Sequence, residues 1–261
     1  MRGRKGTDGP YISEIRMNWE RVEDRSEYPF SLPIVTNLKR LALHPKVTYF
    51  VGPNGSGKST LIEAIAVAFG FNPEGGSKNF NFATNATHSG LADFLTLVKP
   101  GTFPRTGFFL RAESFYNLAT EVDRLEAIDP GLLPSYGGKS LHLQSHGESF
   151  LALFLNRFGG RGLYILDEPE AALSPDGMVL FLARMHQLVL SGSQFLIATH
   201  SPILMMYPDA EVLELEDCEL VKKPFQETRN FQLTRALLNR PNIVAEQIVG
   251  KAGAIERLEP R

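Results

Sequence analysis

One eight-residue stretch constrains this chain more than any other. Gly52-Pro53-Asn54-Gly55-Ser56-Gly57-Lys58-Ser59 fits the pattern G-x-x-x-x-G-K-[ST], follows the apolar run Val47 to Val51 and opens a helical pattern from Thr60 to Phe69. In a strand, glycine-bearing turn and helix of this kind, successive backbone N–H groups turn inward around an anion, with the positive end of the helix behind them. The spacing predicts nucleotide phosphate binding by Asn54, Gly55, Ser56, Gly57, Lys58, Ser59 and Thr60. Lys58 is expected to reach the outer phosphates, and Ser59 to offer its hydroxyl oxygen to Mg²⁺.

Two further segments, Leu163 to Leu166 and Phe195 to Ala198, are β-prone and apolar on both faces, as strands read when helices cover both sides of a parallel sheet. The fold class is therefore α/β, a P-loop NTPase with a mostly parallel core sheet. Alternating charged and apolar residues from Tyr11 to Leu43 predict an antiparallel N-terminal β region. Residues 72–142 read as a compact α/β insertion, with loops at Asn72 to Ser77 and Asn79 to Phe82, strands at Leu91 to Val98 and Gly107 to Leu110, and a helix at Tyr116 to Ile128. Pro73, Pro100, Pro104, Pro130 and Pro134 exclude a long coiled coil there. Residues 1–10 are expected to be a flexible tail, and 11–261 a single domain.

Composition removes several function classes. A hydrophobic content of 43% excludes whole-chain disorder, and the longest apolar runs, such as Met178 to Ala183, fall far short of the roughly 20 residues a membrane helix needs. The charged start leads into Gly-Pro rather than a secretory apolar stretch. The single cysteine, Cys218, excludes an internal disulfide and a zinc cluster, which fits a cytoplasmic location. A net charge of -2 gives the whole molecule no general attraction for nucleic acid.

Asp167 and Glu168 stand at the carboxyl end of a buried strand, the edge where open α/β sheets place ligands. In isolation they read better as a solvated acidic turn at a strand end. The upstream phosphate loop favours chemistry, with Asp167 holding Mg²⁺ and Glu168 accepting a proton from a water that attacks the γ-phosphate. His200 ends the next apolar strand, where an imidazole can donate to the γ-phosphate or orient that water.

Together these motifs resemble those of the ATP-binding-cassette ATPases. Gln144-Ser145-His146-Gly147-Glu148 resembles the signature sequence that the family writes Leu-Ser-Gly-Gly-Gln, and Ala172-Leu173-Ser174-Pro175 falls where the family has its subunit-communicating loop. The resemblance covers about residues 30 to 215 and implies ATP and Mg²⁺ held between two head-to-tail protomers, the Ser145 hydroxyl and Gly147 N–H of one closing on ATP bound by the other. Ser145 also reads as a helix N-cap with Glu148 completing a capping box, a role compatible with the first. Transport members carry a glutamine between the first motif and the signature, and none occurs from Leu61 to Leu143. That absence argues against a membrane partner and makes Glu113 the candidate to sense Mg²⁺ or the water.

The resemblance is nearer to soluble chromosome-maintenance and RecF-type heads, and nearest to small stand-alone ATPases. It implies an ATP-driven conformational switch in a homodimer. The alternatives are a transporter ATPase subunit, or an ATP-sensing module of a DNA-associated or defence effector with little turnover. DNA or an effector protein are the candidate partners. Arg2, Arg4 and Lys5 are candidates to touch phosphates, Phe80 and Phe82 to stack on a base, and Tyr28 or Phe30 to stack on adenine. The stretch Asn230 to Val249 reads as a helix whose Leu233, Leu237 and Leu238 pack against the domain.

Overall fold

The computed structural model describes residues 10–77 and 89–239. Arg2, Arg4, Lys5, Phe80, Phe82 and the end of the predicted C-terminal helix lie outside the described residues. In chain order the elements are β1 (Glu14–Met17), α1 (Pro33–Thr36), β2 (Arg40–Ala42), β3 (Val47–Val51), α2 (Lys58–Phe69), β4 (Leu95–Val98), β5 (Thr106–Arg111), α3 (Phe115–Ile128), α4 (His146–Arg157), β6 (Gly162–Asp167), α5 (Pro175–Leu190), β7 (Gln194–Ala198), α6 (Pro202–Met205), β8 (Ala210–Glu216), β9 (Glu219–Lys223) and α7 (Arg229–Asn239).

The core sheet runs β5-β6-β7-β3-β8-β9, parallel except for β9, which pairs antiparallel with β8. Its central strands are buried on both faces, and the alternation of side chains divides them cleanly. Tyr49, Tyr164, Leu166, Phe195 and Ile197 join the core beneath α3, α4 and α5, whereas Phe50, Leu163, Ile165, Leu196 and Ala198 join the core beneath α2. This is the predicted α/β fold. The predicted antiparallel region forms a second sheet, β2-β1-β4.

Gln194 ties the N-terminal segment to the core sheet, and its residue is fully buried. Its Oε1 accepts from the N–H groups of Tyr11 at 2.8 Å and Ile12 at 3.0 Å, while Nε2 donates to the carbonyls of Ile12 at 2.8 Å and His44 at 3.1 Å. One amide thus satisfies four backbone groups that water no longer reaches.

Residues 72–142 do not stand apart as one inserted body. β4 pairs with β1 in the N-terminal sheet and β5 closes the edge of the core sheet beside β6, leaving only the helical part from α3 to α4 as an addition. Leu91 to Val98 is a strand only from Leu95, because Gly90–Phe94 makes a 3₁₀ turn that buries Leu91 and Ala92. The predicted packing of the C-terminal leucines is also corrected. Leu233, Leu237 and Leu238 are 55%, 39% and 76% exposed, and no residue of α7 is buried. The helix is held at its start, where Phe231 packs edge-on against Phe225 and Asn230 Nδ2 donates to the His200 carbonyl.

Replacing Gln194 by Leu strands two N–H groups and two carbonyls. We expect Gln194→Leu to lose on the order of 3 kcal/mol in urea denaturation, and a loss below about 1 kcal/mol would show that the tie is dispensable.

Candidate active site

Because β7 lies between β3 and β6, the carboxyl ends of three consecutive strands bring the phosphate loop, Asp167-Glu168 and His200 to one edge of the sheet. The loop itself depends on two left-handed glycines, Gly55 at φ 75° and Gly57 at φ 94°. At Gly57 a Cβ would also press on Leu32 and Ile34 at 3.0 Å, so the backbone there lies directly against α1 and the turn before it. Ile34 N–H donates to the Ser56 carbonyl at 3.1 Å and fixes the loop from that side. α2 starts at Lys58, two residues before the predicted Thr60, which places the first turn of the helix under the loop. Asn54 is exposed at the loop tip, and the half-buried Thr60 lines a neighbouring cavity.

Lys58 is buried and folds back, its Nζ donating to the carbonyls of Gly52 and Pro53 at 3.1 Å each. Burial lowers its pKa, and Glu168, Asp167 and Glu170 pull in the opposite direction. Ser59 Oγ donates to Asp167 Oδ1 at 3.0 Å. A hydroxyl and a carboxylate oxygen are the hard donors Mg²⁺ takes, and among the described residues no group of three or more His, Cys, Asp or Glu could hold a metal alone. Such a pair suits an ion that keeps waters and shares phosphate oxygens with its nucleotide.

Burial pushes Asp167 up to about 6, against the lowering effects of Arg111 and of the Ser59 hydrogen bond. Arg111, which pairs with Asp167 in register across β5 and β6, sits among three carboxylates: Glu63 at 2.7 Å, Glu113 at 3.3 Å and Asp167 at 3.8 Å. Glu168 adopts a left-handed backbone, φ 50° and ψ 53°, which costs a non-glycine residue on the order of 1 kcal/mol and turns its side chain off the strand axis. Its Oε1 lies 3.4 Å from His200 Nε2. Burial, and secondarily Lys58, lower the pKa of His200 and favour the neutral imidazole.

Ser145 and Gly147 lie on a different element. Ser145 caps α4 with the full capping box: Glu148 N–H donates to Ser145 Oγ at 3.4 Å, while Ser145 N–H and Oγ donate to Glu148 Oε2 at 3.0 and 2.6 Å. The cap is exposed to solvent. A Cβ at Gly147 would meet the Ala172 carbonyl at 3.0 Å, so close packing of α4 on the turn after Glu168 already requires glycine there. Glu113 is 83% exposed at the rim of a cavity of about 350 Å³ lined by Ser59, Thr60, Glu63, Arg111 and Tyr28. Tyr28 is exposed, but Phe30 is committed to edge-on packing between Trp19 and Phe94, at 6.4 and 4.9 Å, which removes it as an adenine platform.

Three residues of this edge were not predicted as site residues. Arg111 had a visible sign, a charge closing the apolar run Phe108 to Leu110. Glu170 is a third acid within four residues, and Asn230 gave no sign at all. Glu170 Oε1 accepts from Thr199 Oγ1, His200 N–H and Ser201 N–H, and Asn230 Nδ2 donates to the His200 carbonyl.

The AAA_23 family, described as an AAA domain, matches residues 32–98. The cytochrome c biogenesis ATP-binding export protein CcmA of Paracoccus denitrificans (strain Pd 1222) is 31% identical over 165 residues, 63% of this chain and 73% of that protein. Among solved structures, the SMC head domain from Thermotoga maritima is 17% identical with a TM-score of 0.43, covering 82% of this chain and 99% of that one. The cbiO1 protein from Clostridium perfringens, part of the ABC transporter complex cbiONQ, is 18% identical with a TM-score of 0.46, covering 89% and 97%. No helix among the described residues is long and apolar enough to cross a membrane.

The raised pKa of Asp167 has a stability consequence. With about 6 in the folded chain against 3.8 as the ordinary value, the unfolded chain gives up this proton first, so stability falls as pH rises through that window and the full cost is present above about 6. Asp167→Asn keeps an acceptor for Ser59 and removes the charge. The nucleotide-free variant should gain on the order of 3 kcal/mol above pH 6 and nothing below 3.8, read as thermal midpoints across that range. Equal midpoints above pH 6 would show that Asp167 is not held at a cost.

Proposed function

The chain belongs to the ATP-binding-cassette ATPases, and from that premise we propose that it binds ATP with Mg²⁺ between two head-to-tail copies and hydrolyses it to drive a conformational switch. The observation that carries the reading is the convergence of Lys58, Ser59, Asp167, Glu168 and His200 at one sheet edge, while Ser145 is presented outward on another element. A site with its base, hydroxyl and lysine on one face and its signature serine facing solvent is completed by a second copy.

In this reading Lys58 leaves the Gly52 and Pro53 carbonyls for the β- and γ-phosphates, where its charge is better matched. Ser59 and Asp167 would hold Mg²⁺, which when bound would supply charge neutralisation for the phosphate oxygens. Glu168 accepts the proton of the attacking water. The neutral His200 imidazole, whose Nε2 lies 3.4 Å from Glu168 Oε1, donates its one N–H to the γ-phosphate. Across the interface Ser145 turns its hydroxyl from Glu148 to the γ-phosphate, and the Gly147 N–H adds the positive end of α4. Glu113, exposed at the rim of the cavity beside Ser59, would be the group that senses Mg²⁺ or the water. Glu148, an acid where the family has glutamine, weakens this docking and makes the closed pair short-lived.

The absence of a glutamine from Leu61 to Leu143 favours a non-transport role acting on DNA or an effector protein, although the relative from Paracoccus is named as an export protein. Retrieval of an integral membrane protein with the tagged chain would support the transport reading instead. Phosphate release no faster than that of Lys58→Ala would identify an ATP-sensing module.

Lys58→Ala should weaken ATP binding at least about tenfold. Glu168→Gln should retain ATP binding, lose about 10²-fold or more in turnover and accumulate as a dimer. Light scattering at saturating ATP and Mg²⁺ that finds only monomeric Glu168→Gln would refute the two-copy site.

A further inference from the structure

The His200 peptide is gripped on both sides, by groups that no sequence motif announces. The last ladder contact of β7 is Thr199 N–H to the Phe50 carbonyl at 3.1 Å, and beyond it the chain leaves the sheet. The orientation of His200 must then be set by something other than strand pairing. Glu170 Oε1 supplies it, accepting from Thr199 Oγ1 at 2.7 Å, from His200 N–H at 2.5 Å and from Ser201 N–H at 3.1 Å. On the opposite side of the same residue, Asn230 Nδ2 at the start of α7 donates to the His200 carbonyl at 3.1 Å.

We infer that Glu170 is the positioning residue of His200, with Asn230 as its counterpart, so that a clamp from the Asp167 turn and the C-terminal helix aims the imidazole. The inference rests on the proposed role of His200 at the γ-phosphate. Three features carry it. Glu170 follows Pro169 in the 3₁₀ turn Pro169–Ala172, so its backbone is fixed to the same turn as Glu168. A carboxylate receiving backbone N–H groups makes charge-assisted bonds, about twice as strong as neutral ones. Its other oxygen, Oε2, is enclosed, and among the described residues Oε1 alone carries the hydrogen bonds. The arrangement makes sense if what matters is the direction of the loop that Oε1 holds. The clamp also connects α7 directly to the reacting edge, since Asn230 and His200 share one wall of a cavity of about 610 Å³ with Gly52, Pro53 and Asn54.

The test is a double-mutant cycle on steady-state phosphate release, with ATP affinity measured separately. Glu170→Ala should slow turnover about tenfold or more while ATP affinity stays within about twofold, and Glu170→Gln, which keeps the Oε1 acceptor, should recover most of the rate. Asn230→Ala, which removes one half-buried side chain near the start of α7, should slow turnover by about threefold. In the His200→Ala background each of these changes should have no further effect, because the clamp acts through His200. Losses that multiply in the double variants would overturn the inference, as would full activity of Glu170→Ala and Asn230→Ala beside an impaired His200→Ala. Wild-type turnover of His200→Ala alone would refute the assignment of His200, and the clamp with it. Should Glu170→Ala not fold, the Asn230→Ala cycle gives the same decision.

Discussion

The ammonium group of Lys58 is taken out of water and held on the carbonyls of its own loop, and the rest of the nucleotide edge is arranged around that charge. Its pKa falls with burial, and Asp167, Glu168 and Glu170 stand close enough to oppose the fall. None of these groups gains its full electrostatic return in the nucleotide-free state. Lys58 settles for neutral carbonyls, and Asp167 shares a hydroxyl with Ser59 and a distant guanidinium with Arg111. Each contact is one that a phosphate and a divalent cation would replace with a stronger partner. The free protein is therefore stabilised less than its buried charges would allow, and the difference is released on binding.

The sheet makes this placement possible. In parallel strands every carboxyl end points the same way, so the turn chemistry of three strands falls along one edge without any long-range design. The alternation of side chains then assigns each strand residue to one of two cores, which locks the register and hence the relative heights of Ser59, Asp167 and His200. Gln194 extends the same control to the N-terminal sheet, since its amide fixes Tyr11 and Ile12 against the start of β7.

The phosphate loop and the strands that carry Asp167 and His200 were legible because their signal is local: a run of apolar β-prone residues followed by a turn of fixed spacing. The α/β class follows from those runs alone. What was hidden depends on partners far away in sequence. β4 looks like part of an insertion until it pairs with β1, and Gln194 looks like an ordinary polar residue until Ile12 arrives beside it. Glu170 and Asn230 acquire meaning only through the backbone of residues 199 to 201, which has no pattern of its own. The C-terminal leucines mislead in the opposite sense, for a helical apolar stripe gives no information about whether anything faces it. The capping role of Ser145 was legible in the sequence, and the structure displays it.

The contact of Gly147 with the Ala172 carbonyl joins two things that a head-to-tail pair keeps on separate ligands. The start of α4 rests against the turn that follows the chain's own Asp167 and Glu168, and in the proposed pair it would also face the neighbour's triphosphate. In that pair a shift of the turn would be passed with little slack to the start of α4 over the other nucleotide. The two proposed sites would then be coupled rather than independent, with the close approach at Gly147 as the linkage between them.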